Sequence, residues 1–280
     1  MRTKRKLFIL PFLISVLVSC HLERNQAVAP NAVISIIVHG ESIEMVLVEG
    51  GSFMMGCTAE QGNDCEENET AHQEEVSDYY IGKYEVTQRL WNTVMGAEDN
   101  RSYNQIDEKC PVENVSWRKA QEFITKLNEL TGNHFRLPTD VEWEFAARGG
   151  NLSKGYKYSG SNNLDEVAWY SCNYEQDSPT FIKASHPVGR KKPNELGIYD
   201  MSGNVWEWCD NLYQNEYQLN GRQVHEGWPY PGMYPSFRRI IKGGSWGGAA
   251  KGCRVSYVDY DIETYDDEFG GFRLVMDINK

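Results

Sequence analysis

The chain has 280 residues, 40% of them hydrophobic and 12% aromatic, with a mean hydropathy of −0.57, values that exclude an intrinsically disordered protein. Its 28 Lys+Arg against 40 Asp+Glu give a formal charge of −12, which argues against nucleic-acid binding, because neutralising phosphates takes clustered basic residues. Seven cysteines are many for a reducing compartment, so location is the first question.

Arg2, Lys4, Arg5 and Lys6 precede an apolar run, Leu7 to Ser19, that is too short to span a bilayer. This is the pattern of a secretory signal peptide. The run ends Leu17-Val18-Ser19-Cys20, which resembles the lipobox of bacterial lipoproteins, where cleavage leaves a cysteine that is acylated. We therefore expect residues 1–19 to be a signal peptide, Cys20 to carry lipid, and residues 20–32 to tether one domain, 33–280, to the cell envelope, facing either the periplasm or the outside. Cleavage would remove four basic residues and no acid, leaving 24 against 40, a charge of −16, and six domain cysteines. An even number in an oxidising compartment permits disulfides without defining their connectivity.

Within the domain, Val33–Val38 and Ile43–Val48 are short β-branched runs separated by His39-Gly40-Glu41, the signature of two strands and a turn. The acidic stretch from Glu60 to Asp78 surrounds Cys57 and Cys65 and is expected to be a loop stapled by them. Thr87 caps a helix through Met95 that Gly96 closes. A stronger helix starts at Ser116, with Trp117, Ala120, Ile124, Leu127 and Leu130 assigned to one face and Gly132 ending it. Thr139 and Glu142 form a capping box for a third helix that stops at Gly149-Gly150. Beyond residue 150, aromatic clusters and Gly/Pro punctuation predict irregular loops on a few strands, among them Arg239–Lys242 and Phe272–Val275. Eight Trp and sixteen Tyr are expected to supply much of the core.

Most catalytic signatures fail on inspection. Gly243-Gly244-Ser245-Trp246-Gly247 matches the nucleophile elbow, but that chemistry needs a following helix and a later histidine, and none follows His225. The six histidines are scattered without zinc spacing, and there is no phosphate-binding or dinucleotide loop. Asp200 and Glu207 flank a Gly-Asn turn, and hard oxygen ligands around carbonyls suit Ca²⁺; the alternative is a loop ending in a packed tryptophan pair.

Seven blocks in order resemble the formylglycine-generating enzyme (sulfatase-modifying factor) family: Met45–Gly56, Lys83–Thr87, Pro111–Trp117, Arg136–Thr139 with Glu142–Glu144, Gly203–Trp208, Gly243–Trp246 and Gly271–Leu274. The resemblance implies an α+β fold, a single compact domain related to C-type lectins with little regular secondary structure. It also implies a Ca²⁺ site on Asp200, Gly203, Val205 and Glu207, with Asp200 replacing an Asn. Active members oxidise a sulfatase cysteine using copper held by two thiolates, a donor pair that selects Cu(I). Here those positions are Gly248 and Cys253, and counting back from Gly271 displaces Cys253 as well. An Asn of the active enzymes is Phe269. Ser245 and Trp206 match groove-lining positions, so Cys253, Ser245 and Trp206 are the candidate catalytic residues, none of them assigned.

Copper is accordingly not expected, and the favoured function is a non-oxidase binding or accessory module taking a protein or glycan at the cleft. The alternative is an active formylglycine-generating-type oxidase, or another enzyme in the same cleft; iron chemistry is disfavoured because His72 and His134 show no paired spacing. The resemblance also suggests a Cys209–Cys253 disulfide, since the blocks around both meet near the family's cleft. The segment between Arg254 and Gly270 carries Asp259, Asp261, Glu263, Asp266, Asp267 and Glu268 among Tyr257, Tyr260 and Tyr265, either a solvated acidic loop or a recognition surface bordering the cleft.

Overall fold

The computed structural model describes residues 32–63, 65–171, 184–213 and 237–278. The expected signal peptide, Cys20 and the tether up to residue 31 lie outside the described residues, as do Cys172 and His225.

Two strands, β1 (Val33–Val38) and β2 (Glu41–Val48), form the predicted hairpin. The turn is tighter than expected, just His39 and Gly40, both at positive φ (48° and 89°), the twist that joins two antiparallel strands directly. A short ladder of β3 (Gly51–Met55) and β4 (His72–Val76) follows, so the stretch Glu60 to Asp78 is not all loop, and the part that is loop is closed by the expected Cys57–Cys65 disulfide. β5 (Tyr79–Gly82) returns to β2. The Thr87 hydroxyl accepts a hydrogen bond from the Leu90 amide at 3.2 Å and starts α1 (Gln88–Met95). Ser116 does the same for α2 (Trp117–Thr131), which Gly132 ends in the left-handed conformation. After β6 (Phe135–Arg136), the Thr139–Glu142 capping box opens α3 (Asp140–Ala147). A single turn, α4 (Leu164–Val167), precedes β7 (Trp206–Leu212), β8 (Arg238–Lys242), β9 (Asp259–Ile262), β10 (Gly270–Gly271) and β11 (Val275–Asp277).

Strand pairing makes a five-stranded antiparallel sheet, β1-β2-β5-β11-β6, and a four-stranded sheet, β10-β7-β8-β9, in which β10 runs parallel to β7. Phe272–Val275 is therefore not one strand. Its alternation is nonetheless real: Phe272 and Leu274 enter the core and their carbonyls accept the Val86 and Gly82 amides, while Arg273 is buried among other partners.

One apolar cluster packs α1 and α2 against the first sheet, where Trp91 stacks on Phe123 at 5.3 Å and Phe272 meets Phe123 edge-on at 5.4 Å. Two details of the expected core change. On α2 the buried stripe is Ala120, Phe123, Ile124 and Leu127; Leu130 falls at its rim and is 47% exposed, because 100° per residue carries it off the stripe's centre. Tyrosine contributes little: among the described residues only Tyr79 is a buried core tyrosine, and its hydroxyl donates to the Glu142 carbonyl at 2.6 Å. Tryptophan, phenylalanine and aliphatic side chains fill the interior instead.

Several charges are buried in pairs. Glu144 accepts from Lys242 and Arg148, and Arg254 pairs with Glu69. Among the described residues Glu113 has no such partner. Its Oε1 accepts from the Asn104 amide at 3.0 Å and the Ser185 hydroxyl at 3.1 Å, while Oε2 is buried without a hydrogen-bond partner. Burial pushes its carboxyl up to about 7, against the pull of those two donors and with help from Glu268 and Asp267. The folded state thus holds a proton that the unfolded chain releases above the ordinary carboxylate range, so stability falls as pH rises from about 4.5 to about 7. Glu113→Gln, which keeps the acceptor and carries no charge, should flatten the thermal midpoint across that window and raise stability at pH 8 by up to roughly 3 kcal/mol. Paired melts of both proteins from pH 5 to 8 check this, and identical slopes would refute it.

Candidate functional site

Strand alternation along β7 separates Trp206-Glu207-Trp208 into two environments. Glu207 points to a buried charge cluster, and the two tryptophans face the other side of the sheet. In the cluster, Arg273 donates to both Glu207 oxygens at 2.6 Å, and the Trp143 indole donates to Oε2 at 2.6 Å. Glu85 accepts from the Asn204 side chain at 2.6 Å and the Val205 amide at 3.2 Å, and Asp200 accepts from the Gly189 amide at 2.7 Å. The turn that gathers these groups is backbone-demanding: Asp200, Gly203 and Asn204 all have positive φ (58°, 80° and 65°). A Cβ on Gly203 would lie 2.3 Å from the Trp169 carbonyl, so only glycine fits there.

Glu85, Asp200 and Glu207 are each at most 3% exposed and face a single guanidinium, itself fully buried. Burial together with the Asp200 and Glu207 charges drives the Glu85 carboxyl well above its ordinary value. Burial likewise pushes Asp200 up to about 6, although the Gly189 amide and Arg273 pull it down. The Glu85 carboxyl is thereby held toward its neutral form, while Arg273 pairs with Glu207 and, with Lys191, favours the charged form of Asp200. Among the described residues no group of three or more His, Cys, Asp or Glu side chains is arranged to cage a metal, so a cation here would draw on backbone carbonyls beside Asp200 and Glu207. Hard oxygens of a carboxylate and a turn are the donor type that Ca²⁺ takes, and both Glu207 oxygens are already engaged by Arg273 and the Trp143 indole. Glu85 and Arg273 were not singled out as site residues from the sequence; the only signal was a lone charge inside an otherwise apolar block, Tyr84-Glu85-Val86 and Phe272-Arg273-Leu274.

Of the other candidates, Trp206 faces the opposite side of β7. Cys253 ends a single 3₁₀ turn, Ala250–Cys253, and is fully buried beside Leu164, Val167 and Ala168. Burial alone pushes its thiol up to about 12, the reverse of what a metal-binding or nucleophilic thiolate needs. Its sulfur packs on the backbone of Gly244, where an added Cβ would approach to 2.8 Å. Gly248 donates its amide to the Ser245 carbonyl and has no side chain, so this position offers no thiolate. Ser245 is 1% exposed. The Phe269 ring meets that of Trp246 at 4.8 Å with a 41° tilt and covers Gly247. The suggested Cys209–Cys253 bond is absent: both thiols are free and sit in different apolar clusters, Cys209 on β7 among Trp143 and Val275. Trp206 is half-buried, and its ring lies 6.1 Å from that of Tyr257.

Beside Trp206 opens a cavity of about 170 Å³ lined by residues of β7, β8 and β9 and of the acidic segment that follows β9. Asp200 and Glu207 thus meet in a charge cluster under β7 and Trp206 lines an aromatic cavity over it, whereas Cys253 and Ser245 are buried and do not line that cavity.

Residues 37–278 match the family model of the sulfatase-modifying factor enzyme 1-like domain. The chain is 36% identical over 259 residues to the chaperone protein LppX of Paenibacillus barcinonensis, covering 77% of this chain and 83% of that protein. It is 31% identical over 168 residues to the formylglycine-generating enzyme of Streptomyces coelicolor, an alignment spanning 56% of this chain and only half of the enzyme. Among solved structures, Treponema denticola variable protein 1 superposes with a TM-score of 0.70 at 28% identity, over 88% of this chain and 99% of that one. The ordered motif blocks, the two sheets with their capped helices and these matches together establish that the chain belongs to the formylglycine-generating enzyme-type (sulfatase-modifying factor) family and carries a single α+β domain of its fold.

Proposed function

We propose that the protein is an envelope-anchored member of this family that binds a partner and does not oxidise cysteine. The observation that carries the reading is the thiol inventory at the cleft: Cys253 is buried and protonated at neutral pH, and Gly248 stands where the family's first copper thiolate would be. A linear Cu(I) site needs two thiolates, and one protonated thiol does not supply it. The similarity to a chaperone over most of both chains supports an accessory role. The enzyme relative, matched over half its length, keeps the oxidase as the competing reading.

The anchor rests on the lipobox-like Leu17–Cys20 segment. Among the described residues no helix is long and apolar enough to cross a membrane. In the charge cluster we propose structural Ca²⁺ held by Asp200, Glu207 and the carbonyls of Gly203 and Val205, which would neutralise buried carboxylates and fix the turn.

Three outcomes are expected. The chain should fail to take up stoichiometric Cu(I) under reducing conditions, and the Cys253 thiol should resist alkylation until the protein unfolds; tight copper binding lost on Cys253→Ala would overturn the non-oxidase reading. Calcium at about 100 times its dissociation constant should stabilise the fold by about 2.7 kcal/mol in chemical denaturation, and Asp200→Ala should abolish that gain. An unchanged midpoint with and without chelator would sink the calcium assignment. Finally, Cys20→Ser should move the protein from the detergent phase to the aqueous phase on Triton X-114 partitioning, and equal partitioning of both forms would rule out the lipid anchor.

A further inference from the structure

The cavity beside Trp206 has a composition that specifies a ligand class. Its floor is one face of the second sheet. Register places Trp208 opposite Ile241 and Ile241 opposite Asp259, so a tryptophan, an isoleucine and an aspartate form a row across β7, β8 and β9. Trp206, two residues from Trp208, extends the same face. Asp261, Tyr260, Tyr265, Asp267 and Val115 complete the lining. Three half-buried carboxylates thus sit over aromatic surface.

Each carboxylate is held in place by a backbone amide, and Lys251 and Arg238 act on Asp259 and Asp261 only at longer range. Asp259 accepts the Tyr260 amide at 2.9 Å, Asp261 the Ile262 amide at 2.6 Å and Asp267 the Phe269 amide at 3.0 Å, every one through Oδ1. Among the described residues none of the three is in an ion pair. The nearby cations are engaged elsewhere: Lys251 with Glu66 at 3.0 Å, Arg239 with Glu263 at 3.6 Å and over the Trp117 ring, and Arg238 over the Tyr260 ring at 4.8 Å. The Trp208 indole N–H is already given to the Val115 carbonyl at 2.7 Å, which removes a donor from the floor that an anion or sugar oxygen would use. Acceptors and π faces remain, and both attract cations.

We infer that this cavity binds an organic cation, the ammonium or guanidinium head of a basic side chain or a small amine, with its alkyl stem on Trp206 and Ile241 and its N–H groups on Asp259, Asp261 and Asp267. A volume of about 170 Å³ suits one head group and stem, not a whole sugar chain. The overall charge of −12 steers such ligands toward the chain at low salt. This assignment rests on the binding reading of the cleft and gives that reading a ligand class.

The test is calorimetric titration of the full chain with N-acetyl-lysine methylamide, n-butylammonium, the neutral isostere N-acetyl-norleucine methylamide and tetramethylammonium. The lysine derivative should bind, weaken as salt is added, and exceed both the norleucine and the tetramethylammonium probes, since the first lacks charge and the second lacks N–H donors. Affinity greater for the lysine derivative than for n-butylammonium identifies a peptide side chain as the source, and equal affinity a free amine. Asp259→Asn with Asp261→Asn should cost at least about tenfold, the loss of one charge-assisted hydrogen bond. If that pair disturbs the fold by circular dichroism, Tyr265→Ala at the exposed rim should still weaken binding about two- to fivefold. Norleucine binding as tightly as lysine, no amine binding at all, or variants of unchanged affinity would overturn the inference. Copper uptake is scored separately: a chain that binds amines and also loads Cu(I) refutes the non-oxidase reading alone, and one that does neither refutes this inference alone.

Discussion

The Arg273–Glu207 ion pair is the constraint on which the rest of the fold depends. Both residues are fully buried, and the guanidinium spends its remaining donors on the carbonyls of Gly82 and Tyr199 at 3.0 Å each. Glu207 in turn receives the Trp143 indole. One interaction therefore joins β5 of the first sheet, β7 of the second, α3 and the turn that leads into the charge cluster. Separating such a pair strands an uncompensated charge in the interior at a cost of roughly 3–5 kcal/mol, so each partner holds the other in place. Glu85 extends the arrangement by gripping Asn204 and Val205.

The chain around Cys253 is closely packed. Gly244 and Gly252 let the backbone pack tightly around Cys253 and Trp206, Phe269 covers Gly247 against Trp246, and nothing at Gly248 supplies a sulfur. A buried thiol on an apolar cluster is a packing group. Relatives that include both an enzyme and a chaperone are what a shared scaffold with interchangeable sites predicts, since function resides in the groups placed on a fold and not in the fold itself.

The alternation of Trp206, Glu207 and Trp208 explains how one short segment serves both sides. A period of two sends the glutamate to the ion pair and the tryptophans to the cavity, so a one-residue slip would exchange a buried charge for two indoles. The β7–β8–β9 register then delivers Asp259 and Asp261 to the cavity mouth, and the acidic excess visible in composition acquires a location.

Much was legible in the sequence because it is local. Thr87, Ser116 and Thr139 announce their helices through hydrogen bonds to amides three residues on, and Cys57 and Cys65 lie close enough along the chain to staple their own loop. The ordered motif blocks identified the family. Long-range placement was not legible. Arg273 meets Glu207 across 66 residues, the Cys209 and Cys253 thiols occupy separate clusters, and Tyr257, Tyr260 and Tyr265 lie outside the buried core despite their aromatic character. Caps, turns and nearby disulfides depend on neighbours in sequence, which one chain read in order displays. Which buried charge finds which partner, and which aromatic faces a cavity, depends on strand register and sheet order, and only the folded structure decides those.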